Sequence, residues 1–252
     1  MNGALLFIVF SSLTYFSYSQ KTDGTRTPAH FGGAVTVTTK GISIIPNLTL
    51  GKPAAIFDMS AGRKLSFEPQ FRFALEGKPW SFLFWFRYEL VNKKKFLFKI
   101  GAHPAIAFRT ITDSTGGESQ ELIRATRYLA GELAPTYFLD KNISTGFYYL
   151  YSHGIEKDIT QHTHYLAYRI NFLNIKLTDK VFMRFNPSVY YLNMDKKDGF
   201  YFNSTLTLAM RNFPLSVSSL INKTIQTDIP IGDDFLWNIS LIYTFNKKYA
   251  AL

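Results

Sequence analysis

Twelve charged side chains set the chemistry this sequence can offer. Asp58, Glu68, Glu89 and Glu132 stand against Arg72, Arg87, Lys99, Arg109, Arg124, Arg169, Arg184 and Arg211. Most are isolated charges in stretches whose alternate positions are aromatic or aliphatic. A guanidinium stays protonated and grips carboxylates or phosphates through two parallel donors. A succession of arginines along one passage therefore offers weak, successive sites for a small anionic solute. The same residues also permit a closed interior. Glu68 and Arg72 are four apart and Arg87 and Glu89 two apart, spacings that put each pair on one strand face, where they could knit a lumen shut.

A second set is smaller. His153, His162 and His164 flank the stretch GIEKDITQ, with Ser152, Glu156 and Asp158 close by. Histidine beside serine is the chemistry of a lipid hydrolase, and the two imidazoles of HTH fall on one side of a strand, as a metal site requires. No serine motif and no oriented third partner accompanies them. Hydrolysis is thus the weaker reading, and no catalytic residue, metal or cofactor is assigned.

The elements that must position these residues are strands. In KPWSFLFWFRYEL, Trp80, Phe82, Phe84, Phe86, Tyr88 and Leu90 alternate with Ser81, Leu83, Trp85, Arg87 and Glu89. Period-two alternation gives a strand two unlike faces. The pattern recurs in LSFEPQFRFAL, FLFKIGAHPAIAF, YLAYRINF, VFMRFNPSV and DFLWNISLIYTF. The apolar faces hold large aromatics on nearly every strand, too bulky to interdigitate as a sandwich core. The polar faces carry Ser, Thr, Asn, Gly and Ala around a single charge, which suits the inside of a closed barrel better than a water-facing sheet. Prolines 69, 104, 135 and 187 fall mid-strand and each removes a ladder donor, so bulges are expected there.

Composition narrows the classes. Phe and Tyr number 24 and 15 in 252 residues, and a formal charge of +10 comes with only 18% charged residues. The short basic runs NKKK and DKK lie in turns, which argues against nucleic acid as a partner. Without cysteine there is no disulfide framework, thiolate zinc site or lipidated anchor. The N-terminus has an apolar run, Ala4 to Phe10, then Ser17 and Ser19 at −3 and −1 before Gln20, the pattern of a secretory signal over 1–19. The chain then divides into a periplasmic lead-in (20–41), a barrel (42–245) and a short tail (246–252).

Breaks in the alternation near 51–52, 61–63, 76–78, 92–94, 111–119, 140–142, 154–161, 175–179, 194–197, 212–213 and 226–233 leave about twelve strands, the first near 42–50. From 111 onward, longer polar loops alternate with short turns, the plan of an up-and-down antiparallel transmembrane β-barrel with both termini at the short-turn, periplasmic end. On this plan Trp80 and Tyr88 face lipid near the two interfaces.

The stretch GKPAAIFDMSAGRKLSFEPQFRFALEGKPWSFLFWFRYEL and the closing DFLWNISLIYTF resemble the small, porin-like outer-membrane β-barrels of Bacteroidota. The ending also resembles a barrel-assembly signal, with Asn238 as its polar member and Tyr243 and Phe245 as its aromatics. It departs from that pattern in Ser240, where glycine is common, and in NKKYAAL beyond Phe245. The resemblance implies a location in the bacterial outer membrane, with its lipid, lipopolysaccharide and barrel-assembly machinery as partners, and little about activity. The functional expectation is a narrow porin-like channel with an arginine-rich, anion-favouring lumen. The alternatives are a closed scaffold barrel of an envelope complex or, less strongly, a lipid hydrolase.

Overall fold

In the computed structural model, which describes residues 29–113, 120–230 and 232–249, every long element is a strand. They run β1 Ala29–Thr38, β2 Ala54–Gly62, β3 Leu65–Ala74, β4 Pro79–Lys93, β5 Phe96–Asp113, β6 Gln120–Phe138, β7 Ile143–Gly154, β8 His162–Lys176, β9 Val181–Met194, β10 Lys197–Met210, β11 Leu215–Thr227 and β12 Phe235–Tyr249. Each pairs antiparallel with its sequence neighbour, and β1 closes on β12 from Ala29↔Tyr249 to Thr38↔Ser240. Closure removes both sheet edges, so no row of backbone donors and acceptors is left for lipid to solvate.

The expected strand count holds, but the first strand is displaced. Val35 and Val37 alternate with Thr36 and Thr38 inside the segment read as a lead-in, and these residues form β1. Residues 42–50, read as the first strand, belong instead to a long connection, 39–53, with a single 3₁₀ turn at Pro46–Leu48. Pro46 supplies its first position and removes a ladder donor that a strand would need. β12 likewise runs past Phe245 through Tyr249. The predicted signal peptide and residues 20–28 lie outside the described residues.

Short turns, 63–64, 94–95, 139–142, 177–180 and 211–214, gather at the end where β1 begins and β12 finishes. Among the described residues the opposite end carries 39–53, 75–78, 155–161, 195–196, 228–230 and 232–234. Two of these connections fold inward. Trp80 donates its indole N–H to the Leu48 carbonyl at 2.8 Å, which anchors 39–53 to the barrel wall. Ile229 of 228–234 is buried against a cluster that includes Leu192, Met194 and Tyr201.

The exterior is apolar. Phe86, Leu129, Phe147, Val189, Phe200, Trp237 and Leu241 are all exposed on outward positions. On β3 to β5 their neighbours pack edge to face: Phe71 with Phe82 and Phe84, and Phe82 with Phe108, at centroid separations of 5.0–5.9 Å. An aromatic band of this extent has no solvation in water and matches a hydrocarbon surround.

The four mid-strand prolines all point outward, and each sits where pairing to one neighbour skips. Pro69 pairs with Phe84, but β2–β3 pairing passes from Asp58↔Gln70 to Ala61↔Phe67. Pro104 pairs with Leu129 while β4–β5 jumps from Leu83↔Ala105 to Phe86↔Ala102. Pro135 and Pro187 repeat the arrangement, with skips toward β7 and β8. A residue without an N–H is tolerated where the ladder on that side is already open.

Candidate functional site

The interior holds an arc of side chains that crosses most of the strands. Its centre is Arg87 on β4. Arg87 donates from Nη1 to Glu68 Oε2 at 2.5 Å, from Nε to Glu132 Oε1 at 2.5 Å and from Nη2 to Glu132 Oε2 at 3.1 Å. Glu132 also accepts from the Tyr148 hydroxyl at 2.6 Å, and Glu68 from Ser66 at 2.7 Å. Glu132 lies on β6, so its bridge to Arg87 must pass over β5. The register explains how: Arg87, Gly101 and Glu132 stand side by side, and Gly101 supplies no side chain. A Cβ there would lie 3.0 Å from Glu132 Oε1 and 3.1 Å from Arg87 Cγ. The glycine is the gap through which the ion pair forms.

The Arg87 guanidinium sits 4.2 Å from the Trp85 ring centroid, and the Trp85 and His103 rings pack at a 42° tilt with centroids 3.9 Å apart. On the other flank Arg169 lies 4.3 Å from the Tyr148 ring. Tyr148, Tyr165, Tyr190 and Tyr201, from four successive strands, follow at 5.9, 4.9 and 4.8 Å, the last pair nearly parallel. The Tyr190 hydroxyl reaches over β10 to Asn222 Oδ1 at 3.1 Å. On the β1–β12 seam Ser240 donates to the Thr38 hydroxyl at 2.9 Å.

The arc divides the lumen. Toward the termini the wall is an amide and hydroxyl ladder: Asn171 donates to Ser144 at 3.1 Å, Asn186 to Asn171 at 2.9 Å, and Ser188 to Asn203 at 2.7 Å. Toward the loop end lies a cavity of about 640 Å³. Arg87, Trp85, His103 and Tyr148 form its floor and residues 42–52 one side, with Lys52, Glu76, Lys78 and Arg109 around the rim. Of the charged residues in this lining, Lys52, Arg72, Lys78, Arg87 and Arg109 are basic and Glu76 alone is acidic.

The residues picked out by alternation do not form one line. Arg72, Arg87 and Arg109 line the loop-end cavity. Lys99 pairs with Glu89 at 3.4 Å. Arg124 bonds Asp158 in the 155–161 connection. Arg169 belongs to the arc, and Arg184 and Arg211 stand over the Phe182 ring at 5.3 and 5.6 Å near the terminal end. Arg211 is in the turn after β10 rather than in a strand. Asp58 lies on β2, where its charge reaches Arg72 without an ion pair. Asn238 is buried in the seam, accepting from Leu220 N–H and donating to the Lys40 carbonyl, both at 3.0 Å. Tyr243 and Phe245 take outward positions on the same strand, Tyr243 exposed and Phe245 packed on Phe31.

One face assignment is overturned. Trp80 does not face outward; it is 4% exposed and lines the cavity. Between β3 and β4 the register shifts from Arg72↔Ser81 to Phe73↔Pro79, so Trp80 is the extra residue of a bulge and turns inward. The tyrosine arc was also not singled out. Its signal was there in part: Tyr165 and Tyr201 fall on faces otherwise filled by small or polar residues.

The histidines separate from the serine. His153, His162 and His164 lie on the outer face, with Nδ1 bonded to the Gln161 carbonyl, Tyr151 and Tyr149 at 2.9, 2.8 and 2.8 Å. Ser152 faces inward and lines the cavity. None of these three histidines pairs with Ser152; among the described residues a serine–histidine hydrogen bond forms elsewhere, between His30 Nε2 and Ser60 Oγ at 2.7 Å.

The sequence matches no protein-family model and no curated protein. Among solved structures the chain superposes on a KdgM porin with a TM-score of 0.53 and 7% identity, over 85% of this chain and 99% of that one. A KdgM porin in complex with disordered oligogalacturonate gives 0.51 and 7% over 86% and 99%. A NanC porin gives 0.48 and 11% over 86% and 100%. What the chain shares with the KdgM porin is the fold, here a closed up-and-down antiparallel barrel of twelve strands. At these identities the likeness reaches the fold and stops there.

Proposed function

We propose that this protein is an outer-membrane barrel that forms a narrow, anion-favouring passage, with both termini in the periplasm and 39–53 and 228–234 on the outer side. The observation that carries the reading is the loop-end cavity, lined by five basic residues against one acidic residue and lying inside a barrel with an apolar exterior. A ring of fixed positive charge raises the local concentration of anions and sets ion preference. The Arg87 arc is the waist. Arg87 is neutralised by two carboxylates, and at the rim Lys52 pairs with Glu76 and Lys78 with Glu121, so the charge that attracts an anion comes chiefly from Arg72, and the waist limits size.

The test is single-channel conductance of the refolded protein in a planar bilayer under asymmetric KCl. Anion-selective steps, shifted toward cation preference by Arg72→Gln, support the passage. A folded barrel that never conducts overturns it and leaves a closed scaffold, which the tight Arg87–Glu68–Glu132 network favours as the second reading.

A further inference from the structure

Arg72 and Ser81 are cross-strand partners on β3 and β4, beside the bulge that turns Trp80 inward. Arg72 gives Nη2 to Gln70 at 2.9 Å, and its guanidinium lies 5.2 Å from the Trp80 ring centroid. Its Nε, and the Ser81 hydroxyl, are shielded from solvent and have no hydrogen-bond partner among the described residues. Buried donors without acceptors are costly, and each one in a folded protein calls for an explanation. Asp58 acts on Arg72 only through its field.

The rest of the cavity is of a different character. Ile44, Ile45 and Leu48 from the inward connection face Leu83, Trp85 and Leu150 from the wall. At about 640 Å³ the space matches that of small-molecule sites, which pair an apolar lining with a few placed polar groups.

We infer that this cavity is a saturable binding site for a small amphipathic monoanion, its carboxylate or other oxyanion taken by Arg72 and Ser81 and its apolar body lying along Trp80, Leu83 and the 42–50 segment. Rotation of the Arg72 side chain brings Nε–H and Nη–H, a forked pair of donors, to the two oxygens of one head group. Ser81 Oγ is covered, as Arg72 Nε is, and it adds a third hydrogen by turning with it. The site deepens the proposed passage by naming what dwells in it, and it rests on that reading only for how the ligand reaches the cavity.

The test is calorimetric titration of the refolded protein in detergent with 3-phenylpropanoate, and with 3-phenylpropanamide as the uncharged match. Saturable binding of the carboxylate, with the amide at least about tenfold weaker, is expected from the loss of charge-assisted donors. Arg72→Lys keeps the charge but removes Nε–H, and it should weaken the carboxylate several-fold while leaving the amide unchanged. Ser81→Ala is the milder variant should Arg72→Lys fold poorly, and it should act in the same direction. Equal affinity for acid and amide, or carboxylate binding untouched by both variants, overturns the site. Conductance of the same preparation separates the two readings. A barrel that conducts without binding loses the site, and one that binds without conducting loses the passage.

Discussion

Arg87→Met should be among the most damaging single changes in the interior, and the reason lies in the partner it strands. The Glu132 side chain is 2% exposed and accepts three hydrogen bonds, two of them from Arg87. Methionine fills similar volume but leaves that carboxylate with Tyr148 alone. Glu68 is one-fifth exposed and keeps Ser66, so water compensates much of its loss. Removing one member of a buried ion pair costs about 3–5 kcal/mol, most of it the stranded charge. Loss of the cation–π contact with Trp85 adds about 0.5–2 kcal/mol. Glu132→Gln is milder, about 1–3 kcal/mol, because Arg87 retains Glu68. The informative variant is the double one. With Glu132→Gln in place no charge is stranded, so Arg87→Met/Glu132→Gln should be more stable than Arg87→Met alone by about 2 kcal/mol. Urea titration in lipid vesicles, followed by tryptophan fluorescence, measures all three. If the two single effects simply add in the double variant, the stranded-carboxylate account is wrong and Arg87 acts by packing alone.

Three further outcomes follow from the geometry. Phe84→Arg puts a charge on the outer aromatic band and should cost about 2–4 kcal/mol near mid-bilayer; Thr205→Arg, on the inner face, should be tolerated, and equal assembly yields for the two would contradict the face assignment. Trp80→Phe removes the bond to Leu48 O, a loss of about 0.5–1.5 kcal/mol of loop anchoring. Trypsin should then cut faster after Lys40, whereas Trp237→Phe, on an outward residue 53% exposed, should leave the cleavage rate as it was. In the 155–161 connection, Glu156 is held below its ordinary carboxylate value by the Arg127 backbone N–H and guanidinium, and Asp158 by a hydrogen bond from Arg124. Lowered carboxylates contribute above the ordinary range and lose that contribution as pH falls through their folded values, so this anchoring is complete at neutral pH and fades from roughly pH 5 downward. Amide exchange at Arg127, whose N–H bonds Glu156 at 2.8 Å, reports it; protection relative to the intrinsic rate that persists unchanged to about pH 3 would count against the pairing.

Much of the barrel was legible because alternation is a local property. On β12, Phe235, Trp237, Ile239, Leu241 and Tyr243 are exposed, while Asn238 and Ser240 are buried, as period two requires. The inward placement of Arg72, Arg87, Lys99 and Glu132 follows from the same rule. Where the rule failed, register had intervened. One extra residue between Arg72 and Phe73 on β3 and their partners on β4 turns Trp80 from an interface anchor into part of a cavity wall, and nothing in KPWSFLF marks the position of that slip. The first strand was misplaced for a related reason. ISIIPNLTL alternates as well as AHFGGAVTVT does, and the choice between them is made by the partner strand: β12 needs ten residues to close on, and 29–38 provide them.

The site was less legible than the fold because its pairings depend on which strands lie two apart around the ring. Glu68 and Arg72 share a face and sit four apart, yet they do not pair; Arg87 takes Glu68 across one strand boundary and Glu132 across two. The second bridge exists only because Gly101 stands between them in register. This gives the glycine a consequence that can be checked without touching a charge. Gly101→Ala adds one methyl, 3.0 Å from Glu132 Oε1 and 3.1 Å from Arg87 Cγ, tighter than an undisturbed pair would accept. Both side chains have flexible ends, so the barrel should still assemble, with the Arg87–Glu132 bonds lengthened. The coupling between Arg87→Met and Glu132→Gln should therefore shrink in a Gly101→Ala background while the direct effect of Tyr148→Phe persists. Unchanged coupling would mean that the bridge over β5 does not need the gap, and that the glycine is there for the backbone alone.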